Sequence, residues 1–283
     1  MNEKLQFKKR RDVGPIITDT FKFIRLTWKP LFGLIFRIAG PGLLLVVIAS
    51  VFYTHASTDF DPITGSTNFG SMFLGLALLF VTGILYTALL NGVVINFVKS
   101  YIKNDGHVLK QEVMAGVKER FWGLIGYSFL SSLIVGIGLV FCIAPGIYFG
   151  VTLASGFSIL IYEKREVTDA IGHCWALIKN EWWITFATML IMIILYYVIM
   201  FVFRIPEYIY FFAKNFVVNE TITSDPTDYF DWTYYALNAV GSLGQYIMYV
   251  IIVISSTLIY FNLNERKNFT GTMEIIDSIG NRE

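Results

Sequence analysis

Five long runs of predominantly apolar residues constrain this chain more than any other feature of its sequence. A helix needs about 20 mostly apolar residues to cross the hydrocarbon core of a bilayer, and each run reaches that length. Only 15% of the 283 residues are charged, whereas a soluble domain carries about 25%. The sequence therefore predicts an all-α membrane protein. The runs are Leu31–Tyr53, Ser71–Val98, Trp122–Ile143, Trp183–Phe203 and Thr233–Phe261.

A sixth apolar segment, Ile147–Tyr162, is short and follows the third run through Ala144-Pro145-Gly146. The Pro-Gly pair indicates a turn, so this segment either crosses the membrane or re-enters it. Lys and Arg accumulate in cytoplasmic loops, and they distinguish the two alternatives. If the segment crosses, 19 Lys and Arg lie on one side of the membrane and 2 on the other. The charges thus predict six transmembrane helices, arranged as three hairpins, with both termini in the cytoplasm.

Each predicted hairpin is preceded by a cytoplasmic segment with the periodicity of an amphipathic helix. Its apolar residues recur at steps of three and four, which places them on one helical face. We interpret these segments as interfacial helices whose apolar faces enter the acyl boundary and whose basic residues face anionic headgroups. The apolar stripes are Val13, Ile17, Phe21, Ile24 and Trp28 in the first segment, Met114, Val117 and Phe121 in the second, and Val167, Ile171, Trp175, Ile178 and Trp182 in the third.

Aromatic residues in these segments are predicted interfacial anchors, namely Trp28, Phe121, Trp175 and Trp182. The three units are either a true internal repeat or alike only because every interfacial helix has this composition, and the sequence leaves both readings open. The predicted regions are a basic N-terminal segment with an amphipathic helix (1–30), a six-span transmembrane domain (31–261) and a cytoplasmic tail (262–283).

Small residues at four-residue spacing predict a close contact between the third and fourth spans, because small side chains let helix backbones approach. The Pro-Gly turn would bring the two faces together. The residues are Ser128, Ser132 and Gly136 on the third span, and Gly146, Gly150, Ala154 and Ser158 on the fourth.

Polar residues within the predicted spans are the candidates for a functional site, since polar groups are costly in lipid. Arg37 is the one ionisable residue among them, and its long side chain is expected to reach the cytoplasmic headgroups. The amides either line a substrate cavity or bond neighbouring helices together. No Asp or Glu lies inside a predicted span, which argues against a proton-coupled transporter. The candidates are Arg37, Asn91, Asn96, Asn238 and Gln245.

Two further features concern the first span and the second external loop. The segment Ile38–Gly42 contains Gly40, Pro41 and Gly42, and it predicts a kink or local unwinding of the first span. The external loop 204–232 starts with an aromatic segment, which we interpret as another interfacial helix.

The sequence predicts no enzymatic activity. It contains no nucleophile paired with a base, no paired carboxylates at the membrane surface and no His/Cys spacing typical of a metal site. His173 and Cys174 are adjacent rather than on a shared helical face. We therefore expect no catalytic, cofactor-binding or metal-binding residues. A net charge of +1 gives no indication of nucleic-acid binding.

The fourth span, the segment that follows it and the end of the last span resemble a known family. The residues that carry the resemblance are Pro145-Gly146-Ile147-Tyr148, Asp169-Ala170-Ile171, Cys174-Trp175, Leu177-Ile178-Lys179, Trp182, Tyr260–Leu263 and Glu265–Lys267. They resemble the prokaryotic glycerophosphoryl diester phosphodiesterase membrane domain family and its relatives. The chain departs from that family at Cys174, where Ser is usual, and at Asn180, where Gly is common.

The diesterase chemistry of the family belongs to a separate soluble barrel domain, which has no counterpart in this sequence. The resemblance therefore implies a membrane module of the bacterial inner membrane without diesterase activity. Bacterial relatives often lie beside genes for MoxR-type ATPases, which implies a multi-protein membrane assembly.

These observations lead to two expected functions. The first is a non-enzymatic integral membrane protein that scaffolds or organises a membrane complex and interacts with the lipid bilayer and its anionic headgroups. The alternative is a transporter or channel for a weakly polar or lipid-like substrate that uses Arg37, Asn91 and Gln245.

Overall fold

The computed structural model describes residues 4–58, 60–61, 66–67, 69–221 and 230–280. These residues fold into helices joined by short links, with one two-residue antiparallel strand pair, β1 (Phe60–Asp61) and β2 (Ser66–Thr67). The helices are α1 (Val13–Ile38), α2 (Gly40–Thr58), α3 (Phe69–Lys103), α4 (Lys110–Phe141), α5 (Ile143–Leu153), α6 (Gly156–Tyr162), α7 (Val167–Ile178), α8 (Trp182–Thr221), α9 (Trp232–Met248), α10 (Val250–Asn268) and α11 (Thr270–Gly280).

Six helical segments are long and apolar enough to cross a membrane, which confirms the prediction of an all-α membrane protein with six such segments. Their grouping into three hairpins and the interfacial position of the amphipathic segments stay predictions. The six segments are Gly40–Thr58, Phe69–Lys103, Lys110–Phe141, Ile143–Tyr162, Trp182–Lys214 and Trp232–Asn268.

The predicted turn at Ala144-Pro145-Gly146 is wrong, because these residues lie in the first turn of α5. The link between α4 and α5 is the single residue Cys142, whose backbone is extended. Proline is tolerated in the first turn of a helix, where its missing N–H would have no intrahelical partner. The fourth apolar segment gains a turn in this way and reaches 20 residues.

The helix breaks where the sequence predicted, since α1 ends at Ile38, α2 begins at Gly40 and only Ala39 separates them. The first segment long and apolar enough to span a membrane begins after this break, at Gly40 rather than at Leu31. The first amphipathic segment continues through Trp28 within α1, and the second continues through Phe121 within α4.

Of the three amphipathic segments, only the third has a helix break beside its terminal Trp: residues 179–181 separate α7 from α8, and Asn180 has φ 69°. Asn adopts this left-handed conformation more readily than most residues.

The chain packs as two compact units, and α3 and α8 contribute residues to both. Unit 1 comprises Met1–Ala39, Thr87–Ile194 and Val250–Glu283. Its central helix is α10, of which 14 of 19 residues are buried, and α1, α6, α7 and α11 pack against it. Edge-to-face contacts of Phe7 with Phe23, Tyr101 and Phe261 fill the core beside α10.

Unit 2 comprises Gly40–Tyr86 and Leu195–Tyr249. Helix α2 packs along α9, where the hydroxyls of Thr58 and Tyr235 are 2.9 Å apart. Helix α3 joins α9 through Tyr86, whose hydroxyl donates to the carbonyl of Tyr246 at 2.7 Å. Helix α8 joins α9 through a group of charged and amide side chains, which forms the candidate site.

Candidate functional site

Charged and amide side chains meet between α8 and α9 in unit 2. Nη1 of Arg204 donates to Oε2 of Glu207, one turn further along α8, at 2.9 Å. From α9, Nδ2 of Asn238 donates to Oε1 of Glu207 at 2.9 Å, and Oε1 of Gln245 accepts from Nη2 of Arg204 at 2.8 Å. The hydroxyl of Tyr234 is also hydrogen-bonded to Glu207. Arg204, Glu207, Asn238 and Gln245 together form the α8–α9 polar cluster.

Two glycines on α9 make room for α8. A side chain at Gly241 would begin 3.3 Å from Cγ of Arg204 and from Oε2 of Glu207. A side chain at Gly244 would begin 2.8 Å from the ring of Phe203. Because Gly241 and Gly244 have no side-chain carbon, α8 can place the Arg204–Glu207 ion pair and Phe203 directly against α9.

The carboxylate of Glu207 is almost fully enclosed, with 6% of its side chain exposed. A buried charge is tolerated when it is paired and hydrogen-bonded, and donors from two helices meet that condition here. An ionisable group in an apolar helix is a functional candidate because its burial is costly. The α8–α9 polar cluster is thus the strongest candidate site in the described part of the chain.

One acceptor of the α8–α9 polar cluster is left open. Oδ1 of Asn238 is buried and has no hydrogen-bond partner among the described residues. The opposite orientation of this amide would point its oxygen at the carboxylate of Glu207 and lose the bond from Nδ2. The side chain of Arg204 is 24% exposed. The cluster therefore contains a partly exposed guanidinium, that of Arg204, and a buried acceptor without a hydrogen bond among the described residues, Oδ1 of Asn238.

Arg204 and Glu207 belong to the predicted external segment 204–232, and the structure shows that the first part of this segment is a continuation of α8. Helix α8 runs without interruption from Trp182 to Thr221, and its apolar segment extends to Lys214. Glu207 lies on this helix beyond the predicted span Trp183–Phe203, so the absence of Asp and Glu from the predicted spans stays a prediction. The three-residue spacing of Arg204 and Glu207 before a further apolar stretch is the sequence signal for a continuing helix with a paired charge.

Of the five predicted polar residues, the structure brings Asn238 and Gln245 together in the α8–α9 polar cluster. The amides of Asn91 and Asn96 donate to carbonyls of their own helix, those of Thr87 and Gly92, at 2.9 and 2.8 Å. Asn96 also packs against Gly116 of α4, where a side chain would collide with its amide. Arg37 is exposed on α1, as its predicted reach toward headgroups requires.

The predicted residue Gly146 of α5 is in close contact with α4, but at Gly138 rather than at the predicted Gly136. A side chain at Gly138 would begin 3.0 Å from Cα of Gly146, whereas Gly136 has nothing within 4 Å. Gly156 contacts the ring of Tyr127, whose hydroxyl donates to the carbonyl of Leu153 at 2.5 Å, at the break between α5 and α6. Of the remaining predicted packing residues, Ser128 and Ser158 are buried, and Ser132, Gly150 and Ala154 are half-buried.

The first amphipathic segment buries a face adjacent to its predicted stripe. Residues at 16, 20, 23 and 27 are buried in α1. The stripe residues Phe21 and Trp28 are exposed, and the other three are half-buried. The stripe is therefore available at the protein surface, where lipid would contact it.

At two of the four predicted anchor positions, the adjacent tryptophan is more exposed than the predicted residue. Trp28 and Trp175 are exposed, but Trp122 and Trp183 are far more so, at 79% and 76%. Phe121 is half-buried, and Trp182 stacks on Phe186 with a ring separation of 5.2 Å. On a helix, neighbouring residues point about 100° apart, so the more exposed member of each aromatic pair faces outward.

In unit 1 the N-terminal segment is held by the last long helix, a contact that the sequence did not indicate. The guanidinium of Arg11 is enclosed, and it donates to Phe7 O at 2.6 Å and to Asp19 Oδ2 at 2.8 Å. Its backbone N–H donates to Oδ1 of Asn262 at 2.8 Å, and its carbonyl accepts from Arg266 at 3.3 Å. Burial lowers the pKa of Arg11, and its bond to Asp19 opposes that shift.

A pocket of about 330 Å³ opens beside the N-terminal segment, and its lining includes Lys4, Lys8, Asp105 and Glu274. Lys8 is paired with Glu274, and Lys4 lies 3.2 Å from Asp105. These ion pairs balance the charges at the pocket, so it does not select for an anion or a cation.

His173 and Cys174 contact different partners in unit 1. Nε2 of His173 lies 3.3 Å from Oε2 of Glu163, which also accepts from Arg165 at 2.7 Å. Cys174 lies 3.8 Å from the hydroxyl of Tyr127. Burial raises the pKa of the Cys174 thiol to about 12, so it stays protonated and is a poor nucleophile at neutral pH.

Asp231 begins α9 and accepts from the backbone N–H of Tyr234 at 3.0 Å. It also lies 2.8 Å from Nζ of Lys214 and accepts from the hydroxyl of Tyr210 at 2.5 Å. These bonds, led by that from Lys214, lower the pKa of Asp231 to about 2. The carboxylate is therefore charged at neutral pH and caps the helix.

Searches of protein families, of curated proteins and of solved structures found no match to this chain.

Proposed function

We propose that the chain is a non-enzymatic integral membrane protein that organises a membrane complex and binds the anionic headgroups of the cytoplasmic leaflet. Its six spans form three hairpins in a bacterial inner membrane, each entered through an amphipathic interfacial helix, and both termini lie in the cytoplasm. The loop charges support this orientation, because 19 Lys and Arg fall on one side and 2 on the other.

The observation that carries the proposal is the set of exposed tryptophans beside basic residues in unit 1. Trp28, Trp122 and Trp183 are more than half exposed, and Nζ of Lys29 lies 5.5 Å from the ring centre of Trp28. Tryptophan favours the headgroup region of a bilayer, where its ring is in apolar surroundings and its N–H reaches water. Lys and Arg near that region attract anionic lipid.

The headgroup interaction predicts a stability that depends on anionic lipid. The Arg25→Gln/Lys29→Gln variant removes two exposed charges from α1. In nanodiscs, raising the anionic lipid fraction should stabilise the wild type more than this variant by about 2 kcal/mol, at about 1 kcal/mol per basic residue. Thermal unfolding measures the difference. A Lys4→Gln/Lys110→Gln variant has the same charge change away from the tryptophans, and an equal loss in both variants would contradict the proposal.

Affinity purification from native membranes in mild detergent tests the organising role, for which we expect a partner protein in fixed proportion to the chain. The alternative function, transport of a weakly polar or lipid-like substrate, is favoured by the buried carboxylate of Glu207. A solitary chain that moves a fluorescent phospholipid across liposomes, and loses this activity in Glu207→Gln, would refute the organiser and support the transporter.

A further inference from the structure

The α8–α9 polar cluster has the chemistry of a headgroup site. We propose that it binds the headgroup of an amine-bearing phospholipid, with the phosphate at Arg204 and the ammonium group at Asn238 and Glu207. This inference concerns unit 2 alone and does not depend on the leaflet interaction proposed for unit 1.

The two halves of the α8–α9 polar cluster are complementary to a phosphate and an amine. Arg204 uses Nη1 and Nη2 for Glu207 and Gln245. A guanidinium carries five N–H donors, so three remain for an anion, and the side chain is partly open. Oδ1 of Asn238 is a buried acceptor without a partner among the described residues, and a primary ammonium group would donate to it.

The spacing of these groups suits one small headgroup. Arg204 and Asn238 bond to the two oxygens of the same carboxylate, each at 2.9 Å. These bonds limit the separation of the donor and the open acceptor to about two hydrogen bonds plus the widths of a carboxylate and an amide. A phosphate and an ammonium group joined by two carbons bridge a comparable distance when each forms one hydrogen bond to the protein.

The charge of the α8–α9 polar cluster selects among headgroups. The formal charges of Arg204 and Glu207 cancel, which favours a zwitterionic lipid over an anionic one. An anionic lipid has no ammonium group to offset the repulsion between its phosphate and the carboxylate of Glu207. A choline headgroup is also zwitterionic, but its quaternary nitrogen has no N–H for Oδ1 of Asn238. The geometry thus favours a primary amine over choline.

The position of the cluster along the sequence places it at headgroup depth. The apolar run Trp183–Phe203 has the length of one crossing, and Arg204 is the first charged residue after it. Exposed aromatic residues flank the cluster on both helices, with Tyr208 and Phe212 on α8 and Trp232 on α9. Such residues favour the interface between lipid and water.

Lipid retention tests the proposal. The delipidated full chain is incubated with equal amounts of phosphatidylethanolamine, phosphatidylcholine and phosphatidylglycerol in detergent, and bound lipid is counted by native mass spectrometry. We expect about tenfold preference for phosphatidylethanolamine, since one charge-assisted hydrogen bond is lost with choline. Arg204→Gln, which removes the phosphate contact, should lower the retention of phosphatidylethanolamine about tenfold or more, while Arg37→Gln, which removes an exposed charge in unit 1, should leave it unchanged.

Equal retention of the three lipids by the wild type would overturn the proposal, and this comparison needs no variant to fold. Unchanged retention of phosphatidylethanolamine by Arg204→Gln would overturn it too. Free phosphoethanolamine distinguishes the two sources of this chemistry. If it binds the wild type while the lipid does not, the site takes a soluble ligand and the lipid assignment is wrong.

Discussion

Replacing Arg11 with alanine is expected to lower the free energy of unfolding by about 3 kcal/mol or more. The substitution removes the guanidinium bonds to the carboxylate of Asp19 and to the carbonyl of Phe7. Asp19 keeps its contact with Nζ of Lys9 at 3.5 Å, and Phe7 keeps the backbone N–H of Lys9 at 2.9 Å. For a chain of this size, a loss of that magnitude corresponds to a drop in melting temperature of about 10 °C. Thermal unfolding in detergent, followed by loss of the monodisperse peak, measures it.

Arg10 provides the matched control, because it is exposed and its guanidinium contacts only the ring of Phe269 among the interactions described, at 4.7 Å. Arg10→Ala should cost about 1 kcal/mol or less. Arg11→Lys should fall between the two, since lysine keeps the charge but not the planar fork. Equal melting temperatures for the two alanine variants would show that the enclosed guanidinium does not stabilise unit 1.

The second large effect is expected at the contact between α4 and α5. Gly146→Ala should destabilise the protein by about 1–3 kcal/mol, because the new methyl group would begin 2.8 Å from the backbone nitrogen of Leu139. Backbone cannot move aside as a flexible side chain can, so the two helices must separate. The change in melting temperature reports the loss.

Gly136→Ala is the control with the opposite expected sign. Gly136 lies inside α4 with nothing within 4 Å of an added methyl group, and alanine is favoured over glycine in a helix by about 1 kcal/mol. The sequence pattern assigned Gly136 and Gly146 to the same packing contact. Destabilisation of similar size by both substitutions would support that pattern over the contact between Gly138 and Gly146.

Five of the six potential membrane-spanning segments were predictable from sequence because each apolar run is long enough to cross a bilayer. The fourth segment was recognised through loop charge, and the break at Ala39 was recognised through the proline and glycines that follow it. Both features are local, and each has a direct physical cause in composition or backbone freedom.

The α8–α9 polar cluster was only half predictable. Asn238 and Gln245 stand out as amides within an apolar run, but Arg204 ends the preceding run and so resembles the start of a loop. Hydropathy does not distinguish a charge that faces solvent from one that a partner helix neutralises. That distinction depends on the packing of α9, where Gly241 admits the ion pair.

Helical faces were predicted with an error of one residue. The apolar stripe of α1 is adjacent to the buried face that begins at Ile16, because lipid and protein core both select apolar residues. Trp122 and Trp183 are likewise more exposed than the predicted residues beside them, Phe121 and Trp182, since either member of each aromatic pair suits lipid or protein core. Periodicity alone cannot separate the two apolar surroundings of a membrane helix.

The bond between Arg11 and Asn262 joins residues 251 positions apart. A ribosome adds about 5–20 residues per second, so roughly 10 to 50 s pass between the synthesis of the two. During that interval the N-terminal segment has no α10 to bind, and the backbone N–H of Arg11 lacks its acceptor on Asn262. The folding of the earliest segment therefore waits for insertion of the last long helix, and protection of residues 4–12 from protease would time that event.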